Sequence, residues 1–590
     1  METRVFDVVI VGGGVSGALA ALRLSRAGKQ VLILEAGVQD PENPANYEQF
    51  LKNFYTMGSG RSAPNGPYPA NPSALSPSDA AGDPYFVQKG PQNFLSDYLR
   101  MLGGTTLHWQ GTSIRMLPND FRLQSSYGRA LDWPISYDDL EPYYSAAEGE
   151  IGVCANVEDQ RIHGVHFAEG YVYPMQRMPQ SLGDQFLMSR LGDASIGLYG
   201  GQYPLRVVSM PVARNANPNP LYDGGKGYTP VGAVGFESTG ERCQGNSSCT
   251  PLCPVQAKYN ALKTLTAAIR TGNLTVQSRS VASKLKIDPA SGRISGVEYK
   301  RYEVPGGPAV ATEVALGTIV VLAANAVENA TLLLASGITD KSGQVGRNLM
   351  DHPYINLFAL APQRVYPFRG PDTTSGVESL RDGKFRERHA AFRGGMGNWG
   401  WSGEPATTVS ELLAQGRFGR EFRSLLHDRL TRMFKIGTMI EQLPNPENRV
   451  SIDPNITDIL GNHRPVLTYS YDEYTYDAAL AIIGVFWPKI LERSGMEDRT
   501  DFQTARPGTQ VVTHKGQTFN LAGSGHLVGT HRMGNSPTVS VTDANLRTWA
   551  HSNLYVVGPG SMVTIGTSNP TLTAAALSIR AADHILKELR

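Results

Sequence analysis

Short apolar runs near the N-terminus predict buried strands, and helix-spaced apolar residues between them predict a covering helix. Residues 7–11 form the first run, and a stripe that begins with Leu19 and Leu22 follows it and ends at Gly28. Residues 31–34 form the next run. Runs without polar alternation are typical of parallel strands covered on both faces. The N-terminus therefore predicts a strand–helix–strand unit of an α/β fold.

The same pattern returns far along the chain. Residues 318–324 form another apolar run, and a helical stretch through Leu334 follows. Residues 554–557 form a further run, and residues 572–582 carry apolar side chains at helical spacing. We expect these distant pieces to join the N-terminal unit in one domain, since parallel strands need helical crossovers between them.

A glycine-rich turn, Gly12-Gly13-Gly14-Val15-Ser16-Gly17, links the first predicted strand to the first predicted helix. Gly12 permits the turn, Gly14 lets a pyrophosphate approach the backbone, and Gly17 lets the helix pack on the strand. Glu35 ends the second strand, where it can accept hydrogen bonds from ribose hydroxyls. This context predicts a dinucleotide site, with a plain parallel-sheet turn as the alternative. A domain assembled from distant pieces favours FAD over a nicotinamide cofactor.

Charge and composition limit the classes of partner that the protein is expected to bind. The 590 residues include 54 Lys and Arg against 53 Asp and Glu, a net charge of +1. This balance argues against nucleic acid as the main partner. No apolar stretch is long enough for a direct membrane span. We also expect no signal peptide, because residues 1–4 lead straight into a strand. Residues 39–92, rich in Pro, Asn, Ser and Gly, predict a loop that covers a site.

Three of the four cysteines, Cys243, Cys249 and Cys253, fall within eleven residues, and Cys154 stands apart. Thiolates this close usually share a metal centre. Three thiolates fit a three-iron cluster with one vacant corner, whereas structural zinc and a cubane cluster each require a fourth ligand. A local disulfide with one spare thiol is the remaining alternative.

His526 is the candidate general base, because imidazole titrates near neutral pH. Asn569 follows 43 residues later, directly before Pro570. Pro570 suits the first position of a helix, so Ser568 or Asn569 would be the cap. That helix N-terminus could direct its positive end at a flavin carbonyl, and Asn569 could bind the same hydroxyl as His526. A hydrogen-bonded core histidine is the alternative for His526.

A second glycine pair, Gly103-Gly104, precedes Thr105 and the sequence His108-Trp109. Paired glycines predict a close approach of the backbone to a ligand. His108 beside Trp109 fits either a reactive residue or a packed pair.

Together these stretches resemble the glucose-methanol-choline (GMC) oxidoreductase superfamily, and within it the bacterial FAD-dependent sugar dehydrogenase catalytic subunits. That branch includes glucose, fructose, sorbitol and gluconate dehydrogenases, with glucoside 3-dehydrogenases nearby. The stretches that carry the resemblance are residues 12–17 with Glu35, 103–109, 117–121, 132–135, 137–144, 345–353, 523–534 and 566–573.

The resemblance implies a role for each candidate residue. His526 and Asn569 would be the catalytic pair, and His108 matches the histidine that carries covalent flavin in some relatives. The three clustered cysteines, Cys243, Cys249 and Cys253, would hold a [3Fe-4S] cluster. The other cofactor-binding positions would be Gly12, Gly14, Gly17, Glu35, Gly103, Gly104, Thr105, Gly558 and Thr571.

The resemblance also implies an α/β architecture in two parts. A Rossmann-like FAD-binding domain would be assembled from residues 1–38, 93–150, 255–355 and 525–590. A substrate-binding domain with a mostly antiparallel sheet and helices would comprise residues 155–240 and 356–524. Residues 39–92 would be the cover, and residues 241–254 the iron–sulfur loop. The active site would lie between the two parts.

The implied reaction is oxidation of a sugar or glycoside hydroxyl. His526 would take the hydroxyl proton while hydride passes to flavin N5, and electrons would leave through the cluster to a cytochrome c. Relatives with this cluster imply a small partner subunit that carries the export signal, and hence a periplasmic complex. A cytoplasmic enzyme is the alternative location.

Three other functions remain open. One is a sugar oxidase of the pyranose-oxidase type that uses oxygen. Another is a flavin and iron–sulfur electron-transfer protein that oxidises no substrate. The third is a nicotinamide-dependent dehydrogenase.

Overall fold

The computed structural model describes residues 4–37, 85–96, 98–107, 109–230, 241–245, 249, 253, 255–303, 307–338, 340–401, 406–506 and 508–590. His108 and residues 39–84 of the expected cover lie outside the described residues, so the predictions made for them stay predictions.

The strands in the described part of the chain are β1 Val5–Val11, β2 Val31–Leu34, β3 Val87–Gln88, β4 Val153–Ala155, β5 Met175–Gln176, β6 Ser195–Leu198, β7 Gly201–Pro204, β8 Val207–Ser209, β9 Val212–Ala213, β10 Leu274–Gln277, β11 Ser280–Ile287, β12 Ile294–Arg301, β13 Ala311–Leu322, β14 Tyr354–Leu360, β15 Ser375–Val377, β16 Phe392–Gly397, β17 Met433–Ile440, β18 Arg449–Ser451, β19 Val466–Thr468, β20 Glu497–Asp498, β21 Thr509–His514, β22 Gln517–Ala522 and β23 Leu554–Val556.

The helices of eight or more residues in the same ranges are α1 Val15–Arg26, α2 Tyr137–Ile151, α3 Leu182–Leu191, α4 Ala261–Ile269, α5 Ala326–Ala335, α6 Ala406–Ala414, α7 Gly419–Arg432, α8 Glu473–Ala481, α9 Trp487–Ser494 and α10 Pro570–Glu588. A single π-helical turn, Ile482–Phe486, joins α8 to α9.

The first large sheet has seven strands in the order β10-β2-β1-β13-β12-β11, and β23 also pairs with β13. Its β10, β2, β1, β13 and β23 pairings are parallel, while β11, β12 and β13 pair antiparallel. Val8 on β1 lies opposite both Val31 on β2 and Ile319 on β13. The N-terminal and distant apolar runs therefore meet in one sheet, as their patterns predicted.

Helices α1, α4 and α10 cover one face of this sheet. Leu19 and Leu22 of α1 and Leu572 of α10 belong to one buried apolar cluster with Val8 and Ile10 of β1. Helix α1 ends at Arg26, and Gly28 then adopts a left-handed φ of +79°. On the other face, Val9 and Val11 of β1 share a buried cluster with Leu333 of α5. Because both sheet faces are packed, β1 needs no polar alternation.

The second large sheet has eight strands in the order β21-β22-β14-β17-β16-β15-β8, and β20 also pairs with β14. All of its pairings are antiparallel. Met439 on β17 lies opposite Tyr354 on β14 and Arg393 on β16. Side chains in register across a sheet share a face, so these three residues point the same way, as does Lys435 four residues along β17.

One sheet is largely parallel and the other antiparallel, each with packed helices. The α/β fold class predicted from the sequence is confirmed. Within the described ranges, every helix is too short or too polar to cross a bilayer.

Candidate active site

A cavity of about 640 Å³ extends between the glycine-rich turn and the second sheet. Most of the residues predicted for the site line it, namely Gly12, Gly14, Glu35, Gly104, Thr105, His526, Gly558, Asn569 and Thr571. Gly17 and Gly103 lie behind this lining, where Gly103 N donates to the Gly13 carbonyl over 3.0 Å. The fold therefore brings residues from both ends of the chain to one cavity.

The glycine-rich turn forms a cradle that side chains would close. Gly12 has a φ of +100°, and a Cβ there would lie 2.9 Å from the Ala323 oxygen. A Cβ on Gly17 would lie only 2.0 Å from the Gly12 oxygen, so helix and strand could not pack as they do. At Gly14, by contrast, no described atom lies within 4 Å of the Cβ position, and the backbone faces open space. This geometry fits the pyrophosphate of a dinucleotide.

Glu35 sits beside this turn at the end of β2. Its Oε2 accepts from Gly13 N at 2.8 Å, and its Oε1 accepts from Gly37 N at 2.7 Å. Burial raises the pKa of Glu35, while these two backbone donors oppose the rise. Carboxylate oxygens have further acceptor capacity, so the side chain can still take a ribose hydroxyl.

Asn569 stands at the N-terminus of α10, and Pro570 takes the first helical position. Within the described chain, its side chain makes no capping hydrogen bond. Instead, Asn569 Nδ2 lies 3.1 Å from His526 Nε2, and Asn569 Oδ1 accepts from Arg393 Nη2 at 2.5 Å. The two residues proposed as a pair from the sequence are therefore in direct contact.

A chain of hydrogen bonds fixes the proton positions on two neighbouring imidazoles. His352 Nε2 lies 2.9 Å from the Gly566 carbonyl oxygen, which only accepts, so this nitrogen carries a proton. Burial lowers the pKa of His352 to about 3, so the ring is neutral and its Nδ1 is an acceptor. His526 Nδ1 lies 2.8 Å from that acceptor and must donate to it. His526 Nε2 is consequently unprotonated and accepts from Asn569.

Arg393 holds the amide of Asn569 in the matching orientation. Its Nε donates to the Thr567 carbonyl at 3.0 Å, and its Nη1 lies 3.4 Å from a Glu378 carboxylate oxygen. Arg393 is 3% exposed, so it is a buried charge in contact with the site. Since guanidinium groups only donate, Asn569 must present its oxygen to Arg393 and its NH₂ to His526.

The electrostatics of this region keep His526 neutral. Burial lowers its pKa well below the usual value, and His352 and Arg393 lower it further. The His526 backbone N–H donates to Asp351 Oδ1 at 3.1 Å, and Ser96 also bonds this carboxyl group. Burial raises the pKa of Asp351 to about 7 against these hydrogen bonds. His526 can therefore take a proton from a hydroxyl without first losing one.

No sequence pattern assigned a role to His352 or Arg393. His352 lies in the stretch 345–353 that carried part of the resemblance, but no spacing rule relates it to His526, 174 residues later. Its position directly before Pro353 and the strand that begins at Tyr354 was the one sequence feature that could have drawn attention to it. Arg393 sits in a strand with no local signal at all.

The described part of the cysteine segment comprises residues 241–245, 249 and 253. All four cysteines of the chain lie in the described residues and are thiols, which does not fit the disulfide alternative. Cys249 and Cys253 are 5% and 8% exposed. Among the described residues, no three His, Cys, Asp or Glu side chains are arranged to hold a metal ion. The [3Fe-4S] cluster thus stays a prediction.

Two buried cations connect this cysteine segment to the cavity wall. Lys258 Nζ donates to the carbonyls of Trp109 and Cys249, and Arg214 donates to the Gln110 carbonyl and to Asp372. Trp109 and Gln110 both line the cavity. Arg214 Nε and Nη1 are buried without a hydrogen-bond partner in the described chain. These two nitrogens of the Arg214 guanidinium group could donate hydrogen bonds to an anionic group.

Comparison with known proteins places the chain among flavin-dependent enzymes. An N-terminal and a C-terminal family model, both described as GMC oxidoreductase, match residues 6–354 and 444–578. The chain is 32% identical to the fructose dehydrogenase large subunit of Gluconobacter japonicus, over 100% of this chain and 99% of the relative. It is 23% identical to the gluconate 2-dehydrogenase flavoprotein of Pantoea cypripedii, over 100% and 94%.

A solved structure supports the same fold. Pyridoxine 4-oxidase from Mesorbium loti superposes with a TM-score of 0.59 at 18% identity, and covers 98% of this chain and 99% of that one. The resemblance drawn from the sequence motifs is therefore confirmed. With one family model spanning more than half of its length and a relative above 30% identity over its whole length, the chain belongs to the GMC oxidoreductase family.

Proposed function

We propose that this protein is an FAD-dependent dehydrogenase that oxidises a hydroxyl group of a sugar or glycoside. The observation that carries the proposal is the His526–Asn569 contact, with an unprotonated His526 Nε2 in a cavity that also contains the glycine-rich turn. The relatives named fructose dehydrogenase and gluconate 2-dehydrogenase support a sugar as the substrate.

The residues of the site can divide the work on a substrate hydroxyl. A substrate hydroxyl that inserts between the two side chains replaces their direct hydrogen bond: it donates its proton to His526 Nε2 and accepts a hydrogen bond from Asn569 Nδ2. Asn569 orients the oxygen without competing for the proton, because an amide NH₂ is not basic. The buried charge of Arg393 stabilises negative charge that develops on that oxygen as the proton leaves.

FAD, when bound, supplies the acceptor for the hydride of the substrate carbon. The residues that would hold it are those of the cradle, with Gly12, Gly14 and Gly104 at the pyrophosphate and Glu35 at a ribose. The N-terminus of α10, at Pro570 and Thr571, would present its positive end to the flavin. Gly558 and Thr105 line the same stretch of the cavity. The covalent bond to His108 remains part of the proposal.

We further propose that Cys243, Cys249 and Cys253 bind a [3Fe-4S] cluster that relays electrons. An iron–sulfur cluster held by thiolates is anionic, and Arg214 Nε and Nη1, which have no hydrogen-bond partner among the described residues, are donors suited to it. Arg214 interacts electrostatically with Cys243 and Cys249, and Lys258 with Cys249 and Cys253. The same cations bond the cavity wall at Trp109 and Gln110, which supports a short route from flavin to cluster.

The partners follow from this relay. A cytochrome c would take the electrons, and a small subunit that carries the export signal would bring the complex to the periplasm. The name of the first relative, a large subunit, supports a partner subunit.

The test begins with the purified protein, a dye acceptor and a panel of aldoses, ketoses, sugar acids and glycosides. We expect flavin absorbance, iron and acid-labile sulfide in the holoprotein, and oxidation of one substrate group with little peroxide. His526→Ala should lose turnover with the flavin intact. Substrate oxidation with one peroxide per turnover would instead identify the oxidase. Colourless protein would overturn the proposal.

A further inference from the structure

Lys435 is a buried cation at the second-sheet end of the cavity. It lines the cavity and is 6% exposed. Its ammonium group lies 4.9 Å from the centre of the Trp399 ring and 5.9 Å from that of Phe358. Desolvation lowers its pKa to about 8, which still leaves it charged at neutral pH.

Among the charged residues that line the cavity, Lys435 differs in having no hydrogen bond or ion pair to a described residue. Glu35 is held by backbone N–H groups, and Arg100 pairs with Glu328 at 2.6 Å. Asp372, the acid that acts on Lys435 from a distance, is already bonded to Arg214. A buried ammonium group without a counter-charge is costly, so its place in a cavity points to an anionic ligand.

A second cation strengthens the positive field at this end. Arg506 stacks on Phe358 with its guanidinium carbon 5.0 Å from the ring centre, and it acts electrostatically on Lys435. A neutral sugar hydroxyl could accept a hydrogen bond from Lys435, but it would not compensate the buried positive charge. A carboxylate compensates that charge and makes a charge-assisted hydrogen bond.

The sheet register gives the spacing along β17 between Lys435 and the position opposite Arg393. Met439 lies opposite Arg393, whose guanidinium group bonds Asn569. Lys435 is four residues from Met439 on the same strand and the same face, which is about 13 Å along the strand. A six-carbon acid with its reacting hydroxyl at one end spans much of that distance, and the lysine side chain covers the rest. Trp399 offers a ring face for the C–H groups between.

We propose that Lys435 is the anion-binding subsite of the cavity and that the substrate is a sugar acid whose carboxylate pairs with it. The proposal rests on the proposed function, and it narrows the substrate class. Trp399 and Lys435 would together determine specificity, at the opposite end of the substrate from His526.

The test compares acids with their uncharged counterparts on the holoenzyme. The two pairs are gluconate against glucitol and glucuronate against glucose, which also distinguish open-chain from ring acids. We expect kcat/KM for one of the acids to exceed that of its counterpart at least tenfold. Lys435→Met should raise KM for that acid at least tenfold and lower kcat/KM for the neutral counterpart by a much smaller factor. Lys435→Arg should keep most of the preference.

Lys489→Met is the matched control, because Lys489 pairs with Glu492 on the surface. A wild-type preference for the neutral sugars would overturn the proposal. So would an equal loss for acid and neutral sugar in Lys435→Met, or loss of flavin from that variant. If no sugar is oxidised, the proposed function fails. In that case, binding of gluconate and of glucuronate to wild type and to Lys435→Met is measured by calorimetry. Weaker binding to Lys435→Met would support the anion-binding subsite, and equal binding to both proteins would count against it.

Discussion

Replacing His352 by leucine would remove the acceptor that fixes the tautomer of His526. In the structure, His526 Nδ1 donates to His352 Nδ1 over 2.8 Å, and both rings are buried. Leucine fills the space but leaves the Nδ1–H of His526 without a partner. A buried donor left unsatisfied costs about 1–3 kcal/mol, and this cost weakens the preference for the active tautomer over the one with its proton on Nε2 by up to the same amount. That tautomer cannot act as a base.

The expected loss follows from this energy. A cost of about 1–3 kcal/mol corresponds to a fall in kcat/KM of roughly 5- to 150-fold, because each 1.36 kcal/mol is tenfold. The assay is steady-state turnover with a dye acceptor, together with flavin absorbance and the melting temperature. Because His352 touches His526 and not the substrate, we expect kcat to fall with KM nearly unchanged.

His352→Asn is the conservative control, since its Oδ1 can occupy the position of Nδ1 and accept from His526. It should recover most of the activity lost in His352→Leu, although its contact with the Gly566 carbonyl is gone. Equal activity in the leucine variant and wild type would refute the tautomer argument. So would an asparagine variant as inactive as the leucine variant with both proteins folded.

Four further predictions concern the cofactor cradle, the pH profile of turnover, the stability in acid and the cysteines. Gly17→Ala places a Cβ 2.0 Å from the Gly12 oxygen and should abolish FAD retention. The control Gly484→Ala, whose Cβ would have no described atom within 4 Å, should retain FAD. The measurement is the flavin content of each variant after gel filtration, and equal flavin in both would contradict the prediction. Because the pKa of His526 is depressed and its neutral form is active, kcat/KM should stay level as pH falls through 6.5, and an acid limb near 6.5 would contradict this. His352, with a pKa of about 3, resists protonation in the folded state, so it should cost roughly 1.4 kcal/mol of stability per pH unit as pH falls from about 6.5 towards 3, measured by urea unfolding. Cys249→Ser should lose bound iron, while Cys154→Ala should retain it, and equal iron in both variants would count against the cluster.

Several features of the fold could be predicted from the sequence because they depend on neighbours along the chain. The apolar runs 7–11 and 31–34 became β1 and β2, and the break after the first helix came at Gly28. Pro570 does open α10, with Asn569 at the cap position. Turn, strand and cap preferences are short-range, so a local pattern is enough to reveal them.

Only some of the site residues could be predicted from the sequence. His526 and Asn569 were paired by resemblance, and the structure brings them to 3.1 Å. Arg393, which orients Asn569, comes from β16 and has no sequence spacing that relates it to either residue. Its role depends on which strand lies beside β17 and in which register. A shift by one residue would turn its side chain to the other face.

Residues close together in the chain encode the parallel α/β unit with its glycine-rich turn, the clustered cysteines, and the helix that begins at Pro570. Each of these features could therefore be identified from the sequence alone. Long-range contacts determine which nitrogen of His526 is unprotonated, how the Asn569 amide is oriented, and where Lys435 lies without an ion pair to any residue that the structure describes. Those properties arise from His352, Arg393 and Lys435, which distant strands and loops carry to one cavity. Water is excluded from this buried region, so a single hydrogen bond or charge determines the tautomer of a histidine or the orientation of an amide. In water, these states would interconvert.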